Sequence, residues 1–327
     1  MLQPGTDPAA VEAAARRLAD GELLGLPTET VYGLAARADR DEAVAKIFAA
    51  KGRPSDHPLI VHVLDAAGAE PFAGRLPDTA RRLMDAFWPG PLTVIVPRAP
   101  GMAEAAAGRQ ATVALRSPAH PVARAVLAAA RELGVLGVAA PSANRFGRVS
   151  PTLAAHVVEE FGPALMVLDG GACEVGIESS IVDCSRERPA LLRPGLLSRA
   201  RIEAALGQLL AEPDAAAPKA SGTLAAHYAP AARVRLLDAA SLSLRLAAAT
   251  ASGSLEGVAV YSRAQLPAWL WRAQPSDPAA AAHELFAVLR ALDAAGAREI
   301  WVEAPPREPA WDGVRDRLSR AAAAFTD

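Results

Sequence analysis

The sequence of 327 residues predicts an α/β protein with two domains. Helix-like and strand-like segments alternate from residue 8 to about residue 195, which favours a twisted, mixed sheet. A second alternation begins near residue 233. Between the two lies a stretch rich in Ala, Pro and Gly with little hydrophobic period. We therefore expect a mixed-sheet domain over 8–195, a linker over 196–232 and a small Rossmann-like domain over 233–327.

The elements of the first domain follow from apolar spacing and from Pro and Gly at the segment ends. Helices are predicted in VEAAARRLADG, DEAVAKIFAAKG, PDTARRLMDAFW, HPVARAVLAAARELG and TLAAHVVEEFG. Gly52 ends the second of these, and Thr152 is the expected N-cap of the last. Short apolar runs predict strands in ELLGLP, PLIVHV, PLTVIVP, TVALR, LGVAA and ALMVLDGG.

The second domain repeats a strand and a helix three times. Its predicted strands are VRLLD, GVAVYS and REIWVEAP, and its helices lie around 240–250, 278–295 and 309–325. A further helical piece, IEAALGQLLA, opens the linker. No GxGxxG follows the first strand, so the sequence does not favour dinucleotide binding in this domain.

Composition narrows the functional class. Hydrophobic residues make up 51% and charged residues 21%, as in an ordinary globular protein. With 34 Lys and Arg against 36 Asp and Glu, the net charge of −2 argues against a protein that coats nucleic acid. Cys173 and Cys184 have no zinc-ligand spacing, and no apolar run is long enough to span a bilayer. We expect a cytoplasmic protein without a metal cage of its own.

Four polar stretches beside predicted strands are candidates for chemistry, although the usual phosphate loop, HExxH and GxSxG signatures are absent. In KGRPSDHPLIVH, Lys51 and Arg53 on a proline-stiffened turn suit a polyphosphate. They also suit the carboxyl end of a helix, and that alternative is open. APSANRFGRVSPT, at 140–152, offers hydroxyls and backbone N–H groups for a phosphate, or an ordinary capping turn.

The other two polar stretches are GIESSIVDC and LLRPG, at 176–184 and 191–195. They read either as site residues or as a hydrogen-bonded hairpin. Arg116, which closes TVALR, meets either a carboxylate or solvent. His62 ends an apolar run, so it is either a site residue or an ordinary histidine of the core. Most of these candidates sit at the carboxyl ends of strands, where α/β sheets bind ligands.

Taken in order, these stretches resemble the YrdC-like threonylcarbamoyl-AMP synthase family. The motifs that carry the resemblance are LPTETVYGL, KGRPSDHPLIVH, TVALRSPAHP, APSANRFGRVSPT, GIESSIVD, LLRPG and HYAP. HYAP in the linker and the trailing Rossmann-like domain point to the long, two-domain form. The motifs fall within residues 26–230, and the resemblance covers essentially the whole chain.

The resemblance implies a nucleotidyltransferase. The amine of L-threonine takes up bicarbonate or CO2 to give a carbamate, whose oxygen attacks the α-phosphate of ATP and releases pyrophosphate. A partner transferase complex then uses the product to modify tRNA. Mg²⁺ is expected to be held mainly through the phosphates. Weak binding of RNA, including double-stranded RNA, is a secondary expectation, and no membrane partner is expected.

The resemblance also assigns residues. Threonine is expected to contact Thr30, His62, Arg116, Ala140 (through its backbone) and Ser179. ATP is expected to contact Lys51, Arg53, His57, Thr112, Ser142, Asn144, Ser150, Arg193 and Tyr228. Lys51, Arg53 and Ser142 are the expected catalytic residues, acting by positioning and charge neutralisation without a covalent intermediate.

Two departures from the family pattern concern the nucleotide. His57 stands where the family commonly has Asn, which makes that contact sensitive to pH. ASGTLAAHYAP lacks the Pro-Gly and basic residues expected in that region, so only Tyr228 is carried over from it. We expect the linker to fold over the ATP site as a lid.

Two other functions are compatible with parts of this sequence. The carbamoyl-transfer domain of hydrogenase-maturation proteins shares the YrdC-like fold, but it accompanies acylphosphatase-like and zinc-finger segments that this sequence lacks. A primary RNA-binding module is disfavoured by the net charge and by an aromatic content of only 5%.

Overall fold

A computed structural model describes residues 1–325, which form two compact units. The first unit contains Met1–Phe146 and Ser150–Thr223. The second contains Gly147–Val149 and the chain from Leu224 onward. The chain therefore leaves the first unit briefly in the middle of APSANRFGRVSPT and then returns to it.

The first unit contains ten strands and seven α-helices. Its strands are β1 (Leu2–Pro4), β2 (Leu24–Leu26), β3 (Gly33–Arg37), β4 (Ile60–His62), β5 (Leu92–Pro97), β6 (Thr112–Arg116), β7 (Val138–Ala139), β8 (Met166–Asp169), β9 (Ser180–Asp183) and β10 (Ala190–Arg193). Its helices are α1 (Pro8–Ala19), α2 (Asp41–Lys51), α3 (Ala66–Ala69), α4 (Asp78–Phe87), α5 (Pro121–Glu132), α6 (Ala154–Phe161) and α7 (Arg199–Leu206). A short 3-10 helix covers Glu70–Phe72.

The strands form one mixed sheet in the order β1-β8-β2-β3-β7-β4-β6-β5-β9-β10. On one face, α2 and α4 pack over a large core that includes Val61 and Leu115. On the opposite face, α1 and α5 pack over a second core that includes Leu26 and Val138. This second core covers β2, β3, β7 and β8, and the remaining part of the same face belongs to the candidate site.

Local chemistry explains several helix ends. The Asp7 side chain accepts from the backbone N–H of Ala9 at 3.0 Å and so caps α1. Gly52 ends α2 with φ 64°, a left-handed conformation that glycine adopts without strain. The prediction that Thr152 caps α6 is wrong, because the helix begins at Ala154 and its N-cap residue is Leu153. The backbone N–H of Thr152 instead donates to Nδ1 of His156.

The second unit is a four-stranded parallel sheet with three helices. Its strands are β11 (Arg233–Leu237), β12 (Val258–Ser262), β13 (Leu270–Ala273) and β14 (Glu299–Glu303), in the order β11-β14-β12-β13. Its helices are α8 (Ala239–Ala251), α9 (Pro278–Ala294) and α10 (Asp312–Ala323), with a 3-10 helix at Pro309–Trp311. β13 adds to the three predicted strands; LWRA is short and partly exposed, so it gives little hydrophobic signal.

The predicted fold class, a mixed α/β domain followed by a small parallel α/β domain, is confirmed. None of the described helices is long and apolar enough to cross a membrane.

Candidate active site

The predicted site residues on β4 and β6 meet on the face of the sheet over β4, β6, β5 and β9, which we call the site face. Ile60, Ile95 and Ile181 form an apolar patch at its centre. Because side chains alternate along a strand, the residue two positions further on shares the same face. His62 and Arg116 therefore lie beside this patch, paired across β4 and β6, and each is the last residue of its strand.

Arg116 uses all three of its guanidinium nitrogens. Nη2 donates to Oε1 of Glu29 at 2.5 Å, Nη1 donates to Oγ1 of Thr30 at 2.8 Å, and Nε donates to the carbonyl of Gly90 at 3.2 Å. The second carboxylate oxygen of Glu29 accepts from the backbone N–H of Ala119 at 3.1 Å. The ion pair is buried, and a planar fork fixed in this way suits a carboxylate ligand.

A hydroxyl network fixes Thr30 beside that fork. Thr28 Oγ1 lies 2.9 Å from Thr30 Oγ1 and donates to the carbonyl of Val31 at 2.6 Å. The backbone N–H of Val31 returns a bond to Thr28 Oγ1 at 3.2 Å. The turn that LPTETVYGL forms after β2 is thus closed by its own side chains.

His62 is a buried, neutral histidine. Burial, and then the charge of Arg116, lower the pKa of His62 to about 3. Its Nδ1 has no hydrogen-bond partner among residues 1–325. A buried polar atom without a partner is costly, so this nitrogen is available to a ligand.

Ser179 and Arg193 form a second buried network. Ser179 Oγ lies 2.7 Å from Oγ1 of Thr93. Arg193 donates to the Ser179 carbonyl at 3.0 Å and to its hydroxyl at 3.2 Å. A Cβ on Gly195 would lie 2.6 Å from the backbone N of Ser180, so glycine lets the LLRPG strand approach this closely. β9 and β10 pair antiparallel, so GIESSIVDC and LLRPG also form the hydrogen-bonded hairpin that is the alternative interpretation of these two stretches.

Lys51 lies at the end of α2, as predicted, but it is buried. Its ammonium donates to the carbonyl of Ser142 at 2.6 Å and to the carbonyl of Asn144. Burial, and then the charge of Arg53, lower the pKa of Lys51 well below its usual value. Two carbonyls stabilise a buried ammonium less than an anion does, so the site is chemically compatible with an anionic ligand.

Arg53 and His57 lie against Phe146. The Arg53 guanidinium lies 5.7 Å from the centre of the Phe146 ring and donates to the carbonyl of Pro58 at 2.9 Å. The His57 ring meets the same phenyl edge-on at 5.5 Å. Burial, and then the Arg53 charge, lower the pKa of His57. The structure therefore brings the KGRPSDHPLIVH motif together with the loop that contains Ser142 and Asn144.

Three further residues of the first unit are predicted to contact a substrate, namely Ser150, Thr112 and Ala140. Ser150 is buried and donates to Oε1 of Glu178 at 2.5 Å. Thr112 begins β6 on the same face as Arg116. Ala140 follows β7, and its backbone N–H donates to the carbonyl of Ile60 at 3.0 Å.

Part of the predicted linker belongs to the first unit and lies over the site face. Ala220 packs against the apolar patch, and Arg193 donates to the carbonyl of Ser221 at 2.8 Å. Lys219 pairs with Asp56 at 2.9 Å, and its backbone exchanges two hydrogen bonds with the side chain of Gln110.

Tyr228 lies in the second unit. Its ring stacks on Phe286 with centroids 5.5 Å apart, and the guanidinium of Arg317 lies 5.3 Å from the ring centre. The residue is buried and has a positive φ of 62°. Its contact with a nucleotide stays a prediction.

Sequence reasoning missed Glu29, Glu178 and Thr93 as site residues. The first two carry a sequence signal, because each is an acidic residue among small or apolar ones, in TETVYGL and GIESSIVD. Such a residue is expensive to bury without a partner. Thr93 carries no such signal, since a threonine inside PLTVIVP is an ordinary strand residue.

Comparison with known proteins identifies the family of both units. The family model for Sua5, YciO and YrdC proteins, described as "Telomere recombination", matches residues 16–195. The model described as "Threonylcarbamoyl-AMP synthase, C-terminal domain" matches residues 197–323.

Curated relatives and solved structures extend the comparison. The threonylcarbamoyl-AMP synthase of Bacillus subtilis is 42% identical over 238 residues, which cover 71% of this chain and 67% of that protein. The Pyrococcus abyssi enzyme of the same name is 41% identical over 234 residues, 70% of this chain and 68% of that protein. The crystal structure of P. abyssi Sua5 complexed with L-threonine superposes with a TM-score of 0.89 at 33% identity, covering 99% of this chain and 97% of that one. The chain therefore belongs to the threonylcarbamoyl-AMP synthase family, in its two-domain form.

Proposed function

We propose that this chain is an L-threonylcarbamoyladenylate synthase, which makes threonylcarbamoyl-AMP and pyrophosphate from L-threonine, bicarbonate or CO2, and ATP. The observation that carries the proposal is the buried fork of Arg116, fixed by Glu29 and Thr30 beside the neutral His62. It suits an amino-acid carboxylate, and it lies in a chain of this family.

In the proposed complex, the threonine carboxylate binds Arg116 and the rest of the amino acid contacts Thr30, His62, Ala140 and Ser179. His62 supports this assignment, because its Nδ1 has no partner within the described part of the chain and accepts a hydrogen bond while neutral. With a pKa near 3, this histidine binds and orients the substrate and is too weak a base to hold a proton at neutral pH.

The triphosphate is proposed to meet Lys51 and Arg53, with the nucleotide contacting the residues named earlier. These are His57, Thr112, Ser142, Asn144, Ser150, Arg193 and Tyr228. The two cations Lys51 and Arg53, both buried and two chain positions apart, supply the charge neutralisation that attack at the α-phosphorus requires.

The proposed chemistry joins two bond exchanges. Threonine and bicarbonate give the carbamate with loss of water, or threonine and CO2 give it with loss of a proton. A carbamate oxygen then attacks the α-phosphorus, and the bond from that phosphorus to the leaving pyrophosphate breaks. Lys51, Arg53 and Ser142 act by positioning and electrostatics, and no covalent intermediate forms on the protein.

Mg²⁺ is proposed to arrive with the nucleotide. Within residues 1–325, no group of three or more His, Cys, Asp or Glu side chains could hold a metal ion. Because Mg²⁺ in nucleotide sites commonly keeps phosphate and water ligands, the ion would be coordinated mainly by phosphate oxygens and would supply further neutralisation of the phosphate charge.

We propose the domain limits 8–195 and 233–327, with 196–232 as a lid that covers bound ATP. The position of Ala220 and Ser221 over the site face supports the lid. Replacement of Tyr228 by alanine tests its role. A calorimetric ATP affinity equal to that of the wild type would remove Tyr228 from the ATP site.

The product is proposed to feed a tRNA-modifying transferase complex in the cytoplasm. Two free, buried cysteines support a reducing compartment. Weak RNA binding is proposed only as a secondary property, and a steep loss of affinity between low and physiological salt would identify it.

One assay tests the main proposal. Purified protein is incubated with ATP and Mg²⁺, and pyrophosphate release is measured with threonine and bicarbonate each omitted in turn. Release should require both. Release that is indifferent to both omissions contradicts the proposed function.

A further inference from the structure

The second unit contains a groove of about 670 Å³ that the proposed reaction does not use. It lies at the amino ends of β11, β12 and β14, next to the carboxyl end of α8. A volume of this size is typical of sites for small organic ligands. The groove is lined by Arg233, Arg245, Ala248, Ala249, Ser252, Ser254, Glu256, Gly257, Val258, Arg298, Glu299 and Trp301.

Three arginines converge on this groove. Arg233 donates to the carbonyl of Phe325 at 2.9 Å, and Arg298 donates to the carbonyl of Glu256 at 2.5 Å. The Arg245 guanidinium lies over the Trp301 ring, 5.1 Å from its centre. Within residues 1–325 none of the three forms a close ion pair with a carboxylate, although the charge of Arg245 acts on Glu299 at longer range.

The carboxylates of the groove do not balance this charge. Glu299 is already committed, since it accepts from Arg235 at 2.9 Å and 3.0 Å and from the indole of Trp301 at 2.5 Å. Glu256 is the other acidic residue of the lining. The groove therefore has a local excess of positive charge in a chain whose net charge is −2.

Gly257 lets Arg298 take its position. This glycine has a φ of +75°, and a Cβ there would lie 2.6 Å from Nε of Arg298. The backbone N–H of Arg298 also donates to the Gly257 carbonyl at 2.8 Å. The guanidinium is thus seated against the backbone at a place where only glycine leaves room.

The opposite edge of the same sheet is different. Ligands of parallel α/β sheets usually bind at the carboxyl ends of the strands. There Arg263 is paired with Glu303, and its Nη1 also donates to Gln274 at 3.0 Å. The arginine of that edge is neutralised by its own neighbours, whereas those of the groove are not.

We propose that the groove binds a small phosphate-bearing molecule. The guanidinium forks of Arg245 and Arg298 grip the phosphate oxygens, because arginine matches the geometry of phosphate with two parallel hydrogen bonds. The hydroxyls of Ser252 and Ser254 lie in the same lining, but they bond to each other at 2.7 Å and to the carbonyls of Ala248 and Ala249, so the arginines supply the donors. The proposal assigns the second domain a ligand of its own and does not depend on the reaction proposed for the first.

The test is a calorimetric titration of inorganic pyrophosphate into four full-length proteins. They are the wild type, the groove double variant Arg245→Ser with Arg298→Ser, a double variant with the same charge change at the exposed Arg272 and Arg307, and Lys51→Ala. The groove variant should lose at least about tenfold in the affinity of one binding component. The charge-matched variant and Lys51→Ala should retain that component. Circular dichroism checks that all four proteins are folded.

Each other outcome overturns the proposal. Absence of any pyrophosphate binding to the wild type at millimolar concentration removes the site. Equal losses in the groove and charge-matched variants show attraction by diffuse surface charge, and loss of the component with Lys51→Ala assigns it to the first domain. If the groove variant weakens tRNA binding and leaves pyrophosphate binding unchanged, the groove is a nucleic-acid surface instead.

Discussion

Glu29 and Arg116 form a buried ion pair inside the proposed threonine site, with side chains 5% and 4% exposed. Removal of one partner of a buried pair leaves the other charge uncompensated, which costs about 3–5 kcal/mol. In the proposed complex, the carboxylate of threonine adds a second anion to the same guanidinium. Substrate and Glu29 therefore share one cation.

Replacement of Glu29 by glutamine should lower the free energy of unfolding by about 3 kcal/mol. Saturating L-threonine should then raise Tm more in the variant than in the wild type, because the ligand restores a negative charge beside Arg116. Denaturant unfolding and thermal melts measure both effects. Glu22→Gln is the matched control, since its pair with Lys46 is solvent-screened and should contribute little to stability. Equal stability losses in the two variants would contradict the argument.

His62 makes the stability of the fold depend on pH. Its pKa is about 3 when folded and near 6.5 in the unfolded chain, so the unfolded state binds the additional proton between these values. The contribution is fully present above pH 6.5 and is lost as pH falls toward 3. Between pH 7 and pH 5 the loss from this group should be about 2 kcal/mol.

The His62→Gln variant should show a correspondingly flatter pH dependence of the unfolding free energy, measured in urea at pH 5 and pH 7. His283→Gln, at an exposed position, serves as the control and should follow the wild type. The assignment fails if the two variants have the same pH dependence.

Lys51 should couple ATP binding to proton uptake. Burial and Arg53 lower the pKa of Lys51, and a triphosphate beside it would raise that pKa again. ATP affinity should therefore fall as pH rises, and binding should take up protons. Calorimetry in buffers of different ionisation enthalpy measures the uptake. It should vanish in Lys51→Ala and persist in Lys46→Ala, whose side chain is exposed. Uptake that survives in Lys51→Ala would assign the proton to another group.

At the scale of elements, the site depends on how closely β10 approaches the turn before β9. Gly195→Ala would place a Cβ 2.6 Å from the backbone N of Ser180 and 2.8 Å from the carbonyl of Glu178. Backbone cannot yield as a side chain does, so we expect a loss of about 1–3 kcal/mol in stability, together with weaker ATP binding through Arg193.

Gly68→Ala is the control for this change, because its Cβ would meet neighbours only at 3.4 Å and 3.5 Å. Its stability should stay within about 0.5 kcal/mol of the wild type. Urea unfolding and ATP calorimetry compare the two variants. A Gly195→Ala protein that behaves like Gly68→Ala would show that the close approach is not needed.

Element patterns also show what the sequence could reveal. The apolar runs PLTVIVP and TVALR correctly predict β5 and β6. The prediction works there because a strand that is buried in the structure needs a run of apolar residues in the sequence. β1 and β3 escaped prediction for opposite reasons. Leu2–Pro4 is short and largely exposed, and Gly33–Arg37 is buried but consists mainly of Gly and Ala, which have little strand propensity.

The site was predictable only as separate motifs. Spacing and residue type indicated Lys51, Arg53 and Arg116, but not that Lys51 would be buried against two carbonyls or that Arg116 would hold Glu29. Such pairings depend on which strands become neighbours in the sheet. Local sequence patterns do not determine the strand order of a mixed sheet.

At the scale of the whole molecule, the two units are interleaved along the chain. Gly147–Val149 lies in the second unit, where the backbone N–H of Ala229 donates to the Gly147 carbonyl at 2.9 Å and Arg290 donates to the Val149 carbonyl at 2.5 Å. Ser150, a proposed ATP contact, is the next residue along the chain. Residues 147–149 are therefore bonded within the second unit, and the chain passes from them to Ser150 of the first unit.

Arg290→Gln should reduce ATP affinity about threefold to tenfold and leave threonine affinity unchanged, because it removes the bond to the Val149 carbonyl directly before Ser150. Isothermal titration of each substrate measures the two affinities. Arg272→Gln, an exposed arginine of the same unit, is the control. Equal effects on threonine and ATP would mean that Arg290 supports general stability and not the loop.

The interleaving of the two units constrains the design of chimaeras in which the second unit is exchanged with that of a relative. A chimaera joined at the linker would take residues 147–149 from one parent and the remainder of the second unit from the other. The bonds of Ala229 and Arg290 reach backbone atoms of that loop, and the Val149 side chain is buried, so the crossover also has to preserve an apolar residue at 149. Arg290 itself has to be retained by the parent that donates the carboxyl-terminal part. A functional exchange therefore depends on contacts made by residues far along the sequence from the crossover point.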